Sequence, residues 1–93
     1  MRLILLSYTL YLPMCHSLKE KRKIIRSLKD SLRANFNLSV AEVAHQDKHQ
    51  SAEIGIACLF SDSTGIDSHL AKIDSHILRK LPTEVTRVER IDY

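Results

Sequence analysis

Cysteine is almost missing from this sequence. Cys15 and Cys58 are its only two thiols, too few for a disulfide framework and too far apart for a CxxC metal knuckle, so they point to a reducing cytoplasmic setting. Glycine and proline are equally scarce at two each, which leaves no low-complexity linker and argues against long disorder. No run approaches the roughly 20 apolar residues that span a bilayer. The nearest thing to a targeting segment is Met1-Arg2 followed by Leu3 to Leu6, but Ser7, Tyr8 and Thr9 interrupt it and no small-residue cleavage site follows. Acid is in slight deficit, giving a net charge of +3. That fits an anionic partner, yet an excess so small is common in proteins that touch no nucleic acid. What is present is 93 residues, 44% hydrophobic and 27% charged, which is room for a single domain, 1–93, with one core.

Periodicity predicts six elements. Ile4, Leu6, Tyr8, Leu10 and Leu12 alternate with Leu3, Leu5, Ser7, Thr9 and Tyr11, as in a strand over Leu3–Leu12 that Pro13 stops. Ser17 with Glu20 three residues on is a capping box, and a helix follows with the apolar stripe Leu18, Ile25, Leu28 and Leu32. Phe36–Ala44 and Ser51–Phe60 carry branched residues in alternation, and the polar run His45–Gln50 joins them as a hairpin. Ser61–Gly65 opens a second helix with the stripe Ile66, Leu70, Ile73, Ile77 and Leu81, which Pro82 ends. Glu84–Ile91 reads as a charged edge strand.

The order βαββαβ is the split βαβ of ferredoxin-like α+β folds, a four-stranded antiparallel sheet with two helices on one face. The other face then carries Leu3, Leu5, Ser7, Thr9, Tyr11, Glu53, Gly55, Ala57 and Leu59. A contiguous apolar patch on two central strands marks an interface, so a homodimer through this open face or its edges is expected.

Leu12-Pro13 and SLKEKR over Ser17–Arg22, then NLSVAEV, HQD and the QSAEIGIA run through Ala57, resemble the YlxP-like family of small bacterial proteins. The match spans nearly the whole chain. The resemblance implies a ferredoxin-like fold and no established activity, and members are often encoded beside genes for translation initiation and ribosome maturation factors. The sequence departs from its relatives at Met14 and His16, where glycine and arginine are usual, and at His49, where tryptophan is common.

Several chemistries of this fold are argued against by single segments. The loop Pro13-Met14-Cys15-His16 has neither the glycines nor the arginine of an acylphosphatase-like anion loop, and it holds one cysteine where a metallochaperone needs two. The exposed side of the third strand offers Gly55 and Ala57 where an RNA recognition motif would place base-stacking aromatics. His45, Asp47 and His49 have a spacing that a metal could use, but a solvated hairpin without further ligands is the plainer reading. His69 and His76, seven apart, share one flank of the second helix as boundary residues. A hairpin centred between Asp47 and Lys48 would set Glu42 and Glu53 side by side on the open face, paired with Arg2, Arg87 or Arg90. No nucleophile, cofactor, metal set or small-molecule substrate site is evident, and no enzymatic activity is expected.

Charge is concentrated in one place. Ser17–Arg33 holds seven of the 14 lysines and arginines, and at about 100° per residue Lys19, Arg22, Lys23, Arg26, Lys29 and Arg33 gather opposite the apolar stripe. Only Glu20 and Asp30 oppose them, so the face is not laced with ion pairs. Such a ridge can follow a phosphate backbone, and these six residues are the candidate nucleic-acid-binding set for a non-enzymatic RNA- or ribosome-associated module. The alternative is a dimeric scaffold domain that uses its sheet and no nucleic acid, its charged helix serving solubility. Lys21 falls near the apolar stripe, where it either snorkels past the sheet edge or meets a carboxylate.

Overall fold

The computed structural model describes residues 1–80 and 84–93. Along the chain run β1 (Arg2–Tyr11), α1 (Leu18–Asn35), β2 (Ser39–Ala44), β3 (Ser51–Phe60), α2 (Ile66–Lys80) and β4 (Glu84–Asp92). The strands form one antiparallel sheet in the order β2-β3-β1-β4, and the architecture is the ferredoxin-like α+β arrangement that the periodicity predicted.

Alternation decides which side of the sheet is covered. Ile4, Leu6, Tyr8 and Leu10 of β1 and Ala52, Ile54, Ile56 and Cys58 of β3 are buried beneath the stripes Ile25, Leu28, Leu32 of α1 and Ile66, Leu70, Ile73, Ile77 of α2. Each fully buried aliphatic side chain contributes about 1.5–3 kcal/mol, so this layer fixes the order and register of the sheet. The intervening residues Leu3, Leu5, Ser7 and Thr9 stay half-buried because no helix lies over them, and Leu59 is exposed. Small residues make a depression on that open face. A Cβ at Gly55 would lie 2.8 Å from Cγ1 of Val43, so glycine there is what lets β2 fold its valine over β3.

Local signals account for the helix ends. The Ser17 hydroxyl accepts from the Glu20 N–H at 3.2 Å, and the Glu20 carboxylate accepts from the His16 N–H at 2.7 Å, one residue before the cap. Asp62 accepts from the Thr64 N–H at 2.8 Å, and Gly65 takes a φ of +74 to turn the chain into α2. Leu81 and Pro82, expected to finish the stripe and stop the helix, lie outside the described residues. No helix among the described residues is long and apolar enough to cross a membrane.

Two departures from the sequence expectations have clear causes. Phe36, expected in a strand, is the C-cap of α1, its N–H bonded to the Leu32 carbonyl at 2.9 Å, and β2 starts only at Ser39. Tertiary packing overrides its strand propensity, because the ring sits edge-on to His69 and His76 at 5.7 and 5.4 Å between centroids. The hairpin register is also one residue from the expected one. Glu42 pairs with Ile54, and a shift between Glu42 and Ala44 brings Ala44 opposite Glu53. One step of register moves a side chain to the other face of a sheet, so Glu42 lies on the helix side and Glu53 on the open side.

Candidate nucleic-acid interface

The outer side of α1 is built by two constraints. The apolar stripe must face the sheet, and at 3.6 residues per turn the remaining positions then face water. Lys19, Arg22, Lys23 and Arg26 are exposed and Lys29 is half-buried. Their Cα atoms span about 15 Å of helix axis at 1.5 Å per residue. None of these five makes an ion pair among the described residues. Arg33, the sixth expected member, is exposed as well but not unpartnered: its guanidinium lies 3.7 Å from Asp30 and donates to the Val40 carbonyl at 3.1 Å, tying the end of α1 to β2.

The acids of the two helices are engaged elsewhere. Glu20 caps α1 and Asp30 sits beside Arg33. On α2, Asp67 accepts from Arg90 at 2.8 Å, and Asp74 accepts from the buried Tyr8 hydroxyl at 2.8 Å. Burial, and then the Asp74 hydrogen bond and charge, push the Tyr8 phenol well above its ordinary range. Glu20, Asp67 and Asp74 are thus drawn to the cap of α1, to β4 and to the buried Tyr8, while Asp30 stays on the outer surface among the bases.

Lys21 is the exception on α1, with no solvent exposure at all. Its Nζ donates to Glu42 Oε2 at 2.8 Å, to the His45 carbonyl at 2.7 Å and to the Ser51 carbonyl at 3.2 Å, so all three ammonium protons have acceptors. It does not snorkel past the sheet edge; a carboxylate meets it inside. The contact joins SLKEKR, SVAEV, the HQD loop and the start of β3 at one atom. His45 takes a φ of 64, the left-handed region, which turns its carbonyl toward Lys21 while its ring Nδ1 sits 2.6 Å from the Ser51 hydroxyl.

That geometry corrects the paired-carboxylate expectation. Glu42 and Glu53 are on opposite faces, so they form no acid/base pair, and the arginines expected beside them have other partners. Arg90 bonds Asp92 at 2.7 Å as well as Asp67, and its hydrogen bond holds the Asp92 carboxyl below the ordinary carboxylate range. Arg2 lies 3.7 Å from Asp92, and Arg87 pairs with Glu89. Among the described residues no three His, Cys, Asp or Glu side chains are grouped to hold a metal ion, the His45-Asp47-His49 loop included. Both thiols are buried and free, and burial raises the pKa of each, with the Glu20 charge adding to the rise at Cys15.

The sequence reading missed cations on α2. Lys72, Arg79 and Lys80 are exposed and have no ion-pair partner among the described residues. Because α2 lies antiparallel beside α1, with His76 Nε2 2.7 Å from the Ser31 hydroxyl, these bases border the seam between the helices. One shallow stretch of that seam is lined by Lys23, Arg26, Ser27, Asp30 and Lys80, and the adjoining one by Phe36, Lys72, His76 and Arg79.

Residues 3–90 match the family described as "Protein of unknown function (DUF503)", and the chain belongs to that family. It is 29% identical over 75 residues, 78% of this chain and 82% of the relative, to the uncharacterized protein YlxP of Bacillus subtilis (strain 168), in agreement with the resemblance carried by its motifs. Among solved structures, a variant of SnoaB, a cofactor-independent oxygenase from Streptomyces nogalater, superposes with a TM-score of 0.55 over 98% of this chain and 90% of that chain at 10% identity. A likeness at that identity shows the fold alone. It nonetheless corrects the expectation that this chain has no enzymatic activity: the neighbour performs catalysis on this architecture without a cofactor, so the lack of a nucleophile, cofactor loop or metal set is not a ground for dismissing an enzyme.

Proposed function

We propose that this protein is a cytoplasmic binding module for RNA, free or in a ribonucleoprotein such as the ribosome, that uses the outer face of α1 and serves translation or ribosome maturation. One observation carries the reading. Lys19, Arg22, Lys23, Arg26 and Lys29 have no ion-pair partner among the described residues, while the acids of both helices are committed to a cap, to Arg33, to Arg90 and to Tyr8. Unpaired surface cations at helical spacing neutralise phosphates and release counterions, which gives affinity without needing a shaped pocket. The genomic company kept by YlxP-like proteins supports the same class of partner. The test is capture of partners from a cell lysate by the tagged protein, with and without ribonuclease. RNA in the captured material, and loss of co-captured proteins after ribonuclease, is the expected result; capture of proteins that ribonuclease leaves untouched contradicts it.

A second reading, a homodimer through the open sheet face, is favoured by the depression there. It encloses about 410 Å³, is floored by Ser7, Gly55 and Ala57 and is rimmed by Leu5, Val43 and Ile91, an apolar concavity of the kind that another surface fills. Light scattering against concentration tests it. A dimer that Leu5→Lys or Ala57→Lys converts to monomer supports it, and a monomer at high concentration removes it. The two readings use opposite sides of the molecule, and a dimer that captures no RNA would leave the sheet-face reading in place of the first.

A further inference from the structure

Resting on the RNA reading above, we infer that the binding surface is the seam between α1 and α2, and that its occupant is single-stranded RNA whose backbone lies along that seam. The ridge on α1 is only one wall. Lys23 and Arg26 stand on it, and Lys80 faces them from the last turn of α2 across the same shallow stretch. Further along, Lys72 and Arg79 continue the α2 wall. A phosphate chain lying between the helices is thus approached by cations from both sides, with Asp30, 3.7 Å from Arg33, an acid in the same stretch, whereas a ligand resting on α1 alone meets one row.

Shape and the other seam residues select the single strand. Packed helix axes stand about 8–10 Å apart, so the furrow between them admits one backbone and not the body of a duplex. Ser27, Ser68 and Ser75 border the furrow without hydrogen-bond partners among the described residues and supply neutral donors of the kind that phosphate oxygens take. At the Asn35 end the Phe36 and His76 rings line the groove, and aromatic groups beside a cationic track are what unpaired bases use and paired bases cannot reach.

The experiment is fluorescence anisotropy with labelled oligo(U) and with an RNA duplex, as a function of salt. Two variants divide the surface: Lys72→Glu/Arg79→Glu/Lys80→Glu removes the α2 wall, and Lys19→Glu/Arg22→Glu removes the part of the α1 ridge that lies off the seam. The α2-wall variant is expected to lose about tenfold or more in oligo(U) affinity and to flatten the log–log salt slope by about 2, three single-strand phosphate contacts' worth. The neutral variant Arg79→Gln/Lys80→Gln, with unchanged circular dichroism, is expected to lose less in the same direction. If the α2-wall variant binds like the parent while Lys19→Glu/Arg22→Glu abolishes binding, the seam is wrong and the α1 reading stands. If the parent binds no RNA, both fall. Tighter binding of the duplex than of oligo(U) overturns the single-stranded occupant.

Discussion

Helix α1 holds cations in two opposite ways. On its inner side Lys21 is sealed from water and satisfied by a carboxylate and two carbonyls, whereas on its outer side five bases have no ion-pair partner among the described residues. Helix α2 repeats the contrast, with Asp74 tied inward to Tyr8 while Lys72, Arg79 and Lys80 face out. The difference sets two environments against each other on residues of one chemical type: the inner polar contacts tie the helices to the sheet, and the outer charges have no ion-pair partner among the described residues.

The largest effect should come from breaking the inner contact. Lys21→Ala leaves Glu42 without its cation and two part-buried carbonyls without their donor, a loss of about 3 kcal/mol that is a large part of a small domain's stability. Urea unfolding should show the fall, and an unchanged midpoint would mean that water replaces the ammonium. Removing both charges sharpens the point. Lys21→Met with Glu42→Leu should be more stable than the sum of the single variants by about 1–3 kcal/mol, because no buried charge is stranded; strict additivity would deny that the two groups are coupled.

At the inner contact of α2, Tyr8→Phe should cost about 1 kcal/mol near neutral pH for the lost hydrogen bond to Asp74. The pH dependence has a definite sign. Burial raises the Tyr8 phenol above its ordinary 10.0, so beyond that pH the unfolded chain loses the proton more readily and folding stability drops as pH rises. The phenylalanine variant should lack this component of the alkaline loss, and identical profiles for the two proteins would place the phenol in water. The smallest stability effect belongs to the outer surface: Lys19→Ala and Arg22→Ala should each stay within about 0.5 kcal/mol of the parent in the same urea experiment. A larger loss from either would break the comparison by giving the outer cations a structural role.

How far the sequence foretold this division depends on the residue. Alternation and the capping box placed β1, β3 and the start of α1 within a residue or two, since they rest on burial and on local hydrogen bonding, whereas β2 starts three residues later than expected. Lys21 stood out because it interrupted an apolar stripe, but its partner was hidden by the β2–β3 register, where a single step carries Glu42 from one face to the other and turn composition alone does not set that step. The bases of α2 were hidden for a different reason. In the sequence nothing sets Lys72, Arg79 and Lys80 beside α1, and only tertiary structure brings them to the seam and shows Asp67 and Asp74 drawn off to Arg90 and Tyr8. Phe36 was lost to its strand propensity, and with it the aromatic end of the seam.

The most direct measurement is RNA affinity across a salt series for the parent and for Lys19→Glu/Arg22→Glu/Arg26→Glu. The parent should bind with a log–log slope of about −3.5, corresponding to five phosphate contacts, and the variant at least tenfold more weakly with a visibly shallower slope and the same urea midpoint. Binding that ignores salt, or a variant that binds as the parent does, would contradict the RNA reading.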